Sequence, residues 1–322
     1  PAIQLNGCPK RAGLPTHNAM PTGGQDGPKR ERNPPMTSNY SVNDLDDFIQ
    51  TEVLPPNARD AYEADLLDAF GGGGLSETRR GVIIVADRSW SVNRVMKAIN
   101  AGLHDLCKDI ADDPLSAGIV DVALVSFGTD VTVHNLRNGG SVESADYERD
   151  IDDIFVPASK VTGDLELKAG GLTSLNQALL TACELEGKYA HRVKKKTFKA
   201  PYKTVVVLLT DGHDEPGGDV SAAADCISKL VESGKVLFLP FGYGDYSEDE
   251  FAELCRVDGM WFKLSDDKGK AIAEAFKLIG ASMRVMSEPG AAGSERQLFE
   301  ECLKTRPDVQ VCTLDDFVRG NQ

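Results

Sequence analysis

No apolar run in this chain approaches the roughly 20 residues that a membrane-spanning helix needs. The N-terminus is polar and rich in proline and glycine, so no signal peptide is visible, although a start at Pro1 suggests that residues were removed or omitted. The chain also lacks positive charge. Its 35 Lys and Arg face 50 Asp and Glu, a formal net charge of -15, which argues against a general nucleic-acid or anionic-membrane surface. No C-x-x-C pair occurs. The seven cysteines, at 8, 107, 183, 226, 255, 302 and 312, are scattered and odd in number. They read as reduced thiols of a cytoplasmic protein, several on buried helix faces, rather than as the framework of a secreted one. Neither a G-x-S-x-G elbow nor a Walker phosphate loop is present; Gly71–Gly74 lacks the Lys-Ser/Thr that would follow it and reads as a hinge.

What the chain does have is an apolar, β-branched run, Val82–Ala86, that ends abruptly in Asp87-Arg88-Ser89-Trp90-Ser91. Such a run predicts a strand buried on both faces, the kind found in parallel sheets. Beyond Ser91 the period changes. Val92, Val95, Met96, Ile99, Leu103, Leu106 and Ile110 recur every three or four residues, one face of a long helix. Asp87, Ser89 and Ser91 therefore sit where a strand hands over to a helix, in the crevice where open α/β sheets bind ligands. Alternate residues of an extended turn point the same way, so one carboxylate and two hydroxyls can converge. These are hard oxygen donors suited to Mg²⁺ or Mn²⁺. Two more oxygen clusters fall at loops of the same edge: Gly170-Gly171-Leu172-Thr173-Ser174, before a helical run, and Thr210-Asp211-Gly212, after the strand Val205–Leu209.

In these motifs residues 80–287 resemble a von Willebrand factor A domain with a metal-ion-dependent adhesion site. The D-x-S-x-S element is Asp87, Ser89 and Ser91, the threonine after the Gly-rich turn is Thr173, and the T-D-G aspartate is Asp211. Val205–Gly212 and Val236–Gly244 look most like the bacterial intracellular TerY-like type, associated with tellurium resistance and stress. The resemblance implies a bound Mg²⁺ (or Mn²⁺) contacted by the serines and threonine, with the aspartates acting through water. One coordination position is left for a carboxylate from a protein partner. Trp90 stands where the family usually carries glycine, and Val92 where it often carries methionine. Trp90 is read either as an aromatic anchor for the partner or as a ring packed on its own domain.

Strands alternating with helices predict a doubly wound, Rossmann-like, mostly parallel six-stranded sheet. Around it the sequence divides into a disordered arm (1–40), a helical extension with a Gly linker (41–79), the α/β domain (80–287) and a C-terminal linker and helical tail (288–322). Met260–Leu264 is expected at the sheet edge. Lys188–Lys203 contains no acid and is expected as a basic loop joining a helix to a strand at the end away from the metal site. It is either a solvated loop or the one place for nucleic acid, phosphate or an acidic partner. Asp44-Leu45-Asp46-Asp47-Phe48-Ile49 is echoed by Thr313-Leu314-Asp315-Asp316-Phe317-Val318. The two words are docking motifs, even donors of a carboxylate to a neighbouring subunit in a homo-oligomer, or two coincidentally similar capped turns.

Three functions follow. The first is a metal-dependent protein-interaction module without enzymatic activity, a scaffold or regulator in an intracellular bacterial stress or defence complex. The second is a metal-dependent phosphohydrolase, for which His213, beside Asp211, is the one nearby acid–base candidate; His213 could equally face the partner. The third is a structural scaffold whose site carries no metal.

Overall fold

A computed structural model of the chain describes residues 78–161, 166–212, 219–265, 268–288 and 295–320. The N-terminal arm, the helical extension except its last two residues, and His213 lie outside the described residues.

The run read as a buried strand is β1 (Arg80–Asp87), buried along its whole length. It is followed by a short 3₁₀ turn, Trp90–Arg94, and then α1 (Met96–Asp112), whose buried face is Met96, Ile99, Leu103, Leu106 and Ile110. After α2 (Pro114–Ile119) comes β2 (Val120–Phe127), which turns through Gly128-Thr129-Asp130 into β3 (Val131–His134). The irregular stretch that follows holds β4 (Ser141–Val142), α3 (Ile151–Ile154) and β5 (Val156–Pro157). Then come α4 (Leu175–Thr197), β6 (Thr204–Thr210), α5 (Ser221–Glu232), β7 (Val236–Gly242), α6 (Glu248–Leu254), β8 (Met260–Leu264) and α7 (Lys268–Ser287). The chain closes with α8 (Glu295–Leu303), β9 (Val309–Thr313) and α9 (Leu314–Gly320).

The strands form one sheet in the order β4-β3-β2-β1-β6-β7-β8-β9, with β5 paired to β2. From β2 to β8 all neighbours are parallel; β3, β4, β5 and β9 pair antiparallel. Alternate residues feed two apolar layers. Val82, Ile84 and Ala86 face α1 and α7; Ile83 and Val85 face α4 and α5. The doubly wound α/β fold is the expected one, but the sheet has nine strands where the periodicity gives six. Two of the extra strands, β4 and β5, are two residues long and carry no periodicity to read.

The third extra strand changes the C-terminal end. In place of a helical tail outside the domain, residues 295–320 form helix, strand and helix built onto it. Residues of β9 pair from Val309↔Leu264 to Thr313↔Met260, so β8 is covered and is not an edge. Phe299 of α8 is fully buried against Phe241 and Phe262, with ring centroids 6.5 and 5.1 Å away. In the second Leu-Asp-Asp-Phe word, Thr313 Oγ1 donates to Asp316 Oδ2 at 2.7 Å and accepts from the Asp316 N–H, a reciprocal cap. Leu314 and Phe317 of this word pack on the sheet layer, Phe317 edge-on to Trp261. This copy is a capped amphipathic turn; the first copy lies outside the described residues.

The basic stretch 188–203 is also not a loop. Helix α4 runs through it to Thr197, because Tyr189, Val193 and Thr197 recur at four-residue spacing and are buried. On the other side Arg192 and Lys196 both bond Asp152. The helix stops at Phe198, in the left-handed conformation with φ 56°.

Two measurements test this arrangement. Phe299→Ala is expected to lower stability by about 3–5 kcal/mol in urea unfolding, as for a core phenylalanine; a loss below about 1 kcal/mol would make α8 an appendage. Glu186 on α4 is buried, and burial is the main cause of its carboxyl being pushed up to about 7, against a lesser pull from Lys235. With the folded value raised, stability is full below the ordinary glutamate range and is lost as pH rises through 7. The unfolding midpoint of wild type should therefore fall across that window, and Glu186→Gln should flatten the fall.

Candidate metal centre

The chain leaves β1 towards β2 on one side of the sheet, while β6 pairs on the other side of β1. The crevice at the carboxyl ends of β1 and β6 is thus the topological switch point of the sheet. Asp87 is the last residue of β1 and fully buried; Ser89 is 3% exposed and Ser91 stands in the 3₁₀ turn. Asp211 directly follows β6. Thr173 lies two residues before α4 and is buried.

Hydrogen bonds join these groups across the loops. Asp87 Oδ1 accepts from the Ser89 N–H at 2.8 Å and Oδ2 from Thr210 Oγ1 at 2.6 Å. Ser91 Oγ donates to Asp211 Oδ1 at 2.6 Å and lies 2.8 Å from Ser89 Oγ. A hydroxyl has one proton, so Ser89 is the donor to Ser91, and the relay runs Ser89, Ser91, Asp211. Thr173 closes the cluster. A Cβ placed on Gly212 would stand 3.3 Å from Thr173 Oγ1 and 3.8 Å from Asp87 Oδ2, so the missing side chain leaves a cradle faced by both oxygens. Asp87, Ser89, Ser91, Thr173 and Asp211 therefore come together from three separate loops.

The second loop is held by backbone bonds. Gly170 N–H donates to the Arg88 carbonyl at 2.6 Å, and Trp90 N–H to the Gly171 carbonyl at 3.1 Å. Gly171 has φ +89°, and a Cβ there would lie 2.5 Å from Thr129 Oγ1, so only glycine allows the approach. Thr129 Oγ1 in turn accepts the Leu172 N–H, and its carbonyl accepts the Ser174 hydroxyl. Trp90 is not packed on its own domain. It is 67% exposed, and Leu172, 49% exposed, follows the residue that bonds the Trp90 backbone.

Burial is the chief influence on Asp87 and raises its carboxyl above the ordinary range. The Thr210 and Ser89 bonds oppose this, and the Asp211 charge adds to it. Among the described residues none of its donors is cationic. Asp121, at the other end of the sheet, shows the contrast. It is also buried, yet it accepts from Arg79 Nε and Nη2 at 2.5 and 2.6 Å and from the Tyr189 hydroxyl at 3.0 Å. The donor chemistry, the Gly212 cradle and the cation-free buried carboxylate all fit a hard divalent ion. No cluster of three or more His, Cys, Asp and Glu side chains suited to a metal occurs among the described residues, so a softer ion has no such set there.

Two residues that lie within the motif stretches but are not among the five expected ligands belong here. Thr210 holds Asp87, and a hydroxyl ending an otherwise apolar strand is the signal for it. Tyr243 follows β7, bonds the Thr210 carbonyl through its N–H and is fully buried; no ligand motif marks it.

A parallel-core α/β domain with side-chain oxygens gathered at its switch point places the chain in the doubly wound class. The model of the von Willebrand factor type A domain matches residues 81–275, and the chain belongs to that family. Domains of this family are commonly metal-dependent protein-interaction modules. No curated protein matches the chain. Among solved structures it is similar to a von Willebrand factor type A protein from Catenulispora acidiphila (17% identity, TM-score 0.44), covering 64% of this chain and 43% of that one. The pilus adhesin SpaC from Lactobacillus rhamnosus GG, in its open conformation, is 11% identical (TM-score 0.47; 65% of this chain, 30% of that one). Proximal thread matrix protein 1 from the mussel byssus is 21% identical (TM-score 0.38; 64% and 47%). The chain thus spans less than half the length of each of these three. Among the described residues no helix is long and apolar enough to cross a membrane.

Thr210→Val keeps the shape of the side chain and removes its bond to the buried carboxylate. A loss of about 1–3 kcal/mol in chelator is expected by urea unfolding; an unchanged midpoint would show that Thr210 does not hold Asp87.

Proposed function

We propose that this protein is a metal-dependent interaction module, not an enzyme, that binds an acidic residue of a protein partner. The observation that carries the reading is the buried Asp87 carboxylate, surrounded by hydroxyls and a second carboxylate and lacking any cationic donor among the described residues. Ser89, Ser91 and Thr173 would hold Mg²⁺ or Mn²⁺, with Asp87 and Asp211 supporting it. The ion supplies a positive charge only partly neutralised by its site, which attracts a carboxylate from outside. The chain's own groups do the rest. The three loops are fastened to one another before any ligand arrives, and Trp90 and Leu172 give the site an exposed apolar rim. That rim fits a partner whose acid is flanked by an apolar side chain.

The described cysteines are free, and four of them are buried, which supports a reducing, cytoplasmic setting. Within it, the resemblance to TerY-like proteins supports a scaffold or regulator in a bacterial stress or defence complex. His213, the acid–base candidate for hydrolysis, lies outside the described residues.

Calorimetric titration of Mg²⁺ and Mn²⁺ into wild type, Asp87→Ala and Thr173→Val tests the metal. Wild type should bind one ion, and each variant should lose at least about tenfold in affinity while keeping its circular dichroism. A wild type that takes up neither ion would end the proposal.

A further inference from the structure

Tyr243 is the residue that the site description leaves unexplained. Strands β6 and β7 pair Leu209↔Phe241 and Thr210↔Gly242. Asp211 and Tyr243 are the next residues after this pairing; the Tyr243 N–H bonds the Thr210 carbonyl, and the Asp211 charge acts on the Tyr243 hydroxyl. Leu209 and Phe241 face the α1 layer, and two residues on, by the alternation of a strand, Asp211 and Tyr243 leave the sheet on that same side. Ser91, which bonds Asp211, leads into α1 and approaches from that layer too. The Tyr243 ring is fully buried, yet among the described residues its hydroxyl has no hydrogen-bond partner. A buried, unpaired phenol is costly, and tyrosine usually finds a partner when buried. Burial first, and then the negative charges of Asp87 and Asp211, push its ionisation up, so it stays a neutral donor within the electrostatic reach of both carboxylates.

We infer that Tyr243 is a positioning residue of the cation site, its phenol O–H donating to a water of the ion's shell on the Asp211 side. This inference rests on the proposed metal binding. Mg²⁺ gives up its water reluctantly and keeps several molecules when bound through few protein ligands. A water held between the ion and Asp211 would give one proton to the carboxylate and retain a lone pair that a phenol near Asp211 could donate to. The hydroxyl is thus unsatisfied without the ion and satisfied with it.

The two states make opposite demands on Tyr243→Phe, which keeps the ring and deletes the hydroxyl. In chelator the variant should unfold at the same temperature as wild type or higher, because it buries no unpaired donor. Titrated with Mn²⁺ alone, it should bind about threefold to tenfold more weakly, the worth of one hydrogen bond. Its midpoint should accordingly rise less on adding Mn²⁺ than that of wild type. Weakened binding together with an undiminished midpoint in chelator supports the inference, since a merely structural tyrosine would move both downward. If wild type binds Mn²⁺ and the variant binds it as tightly, or if the variant is destabilised in chelator, the role of Tyr243 falls and the metal reading stands. If wild type itself does not bind Mn²⁺, the metal reading falls and takes this inference with it.

Discussion

A carboxylate taken out of water without a cation beside it is among the costliest groups a domain can carry, and Asp87 is one. The protein shows that it can solve the same problem differently. Asp121 lies on the neighbouring strand, at the opposite end of the sheet, and has its own arginine, held through two hydrogen bonds. Asp87 instead receives a threonine hydroxyl and a backbone amide. Those bonds orient the carboxylate but bring no positive charge. The charge balance at the crevice is therefore left open in a way that the balance at Asp121 is not. On the proposed reading, a hard divalent cation would close it while using the very hydroxyls that crowd around.

The fold makes that opening geometrically exact enough to matter. β1 lies between β2 and β6 in the parallel core, so the chain parts on either side of Asp87. Close backbone approach then draws the Thr173 loop in: Gly171 sits against Thr129 where a side chain would collide, and Gly170 and Gly171 bond the backbone of the Asp87 loop. None of the five oxygen-bearing side chains depends on a long, mobile stem. Asp, Ser and Thr have few rotatable bonds, so little conformational entropy is left to lose on binding an ion.

Much of this was legible in the sequence, for reasons that are local. β1 is apolar, β-branched and ends in a carboxylate; β6 is apolar and ends in a hydroxyl directly before one; α1 repeats every three or four residues; each signal is local in the sequence. The three oxygen clusters could be assigned to one edge because strand-to-helix turns always fall there. What escaped was set by partners far away in the chain. Strand β9 reads Val-Gln-Val-Cys-Thr, with exposed positions inside it, and only β8 some fifty residues earlier makes it a strand. The last turns of α4 look like a basic loop until Asp152 is seen to receive Arg192 and Lys196. Tyr243 is invisible for the same reason, since its meaning comes from the pairing of β7 with β6, which sets it against Thr210 and near Asp211.

The exposed Trp90 and Leu172 bear on what such a site can discriminate. A cation with one open position attracts any carboxylate, and water-exposed charge alone gives little selectivity. An indole and a leucine standing free beside it add apolar area that rewards only an acid with the right neighbour. The backbone bond from Trp90 to Gly171 ties the two halves of this rim together, so it is presented as one surface. On the proposed reading, an exposed Trp90 would let the loop select among partners as well as hold the ion's ligands. Its side chain stands exposed, while its N–H stays in the bond to Gly171 that shapes the site.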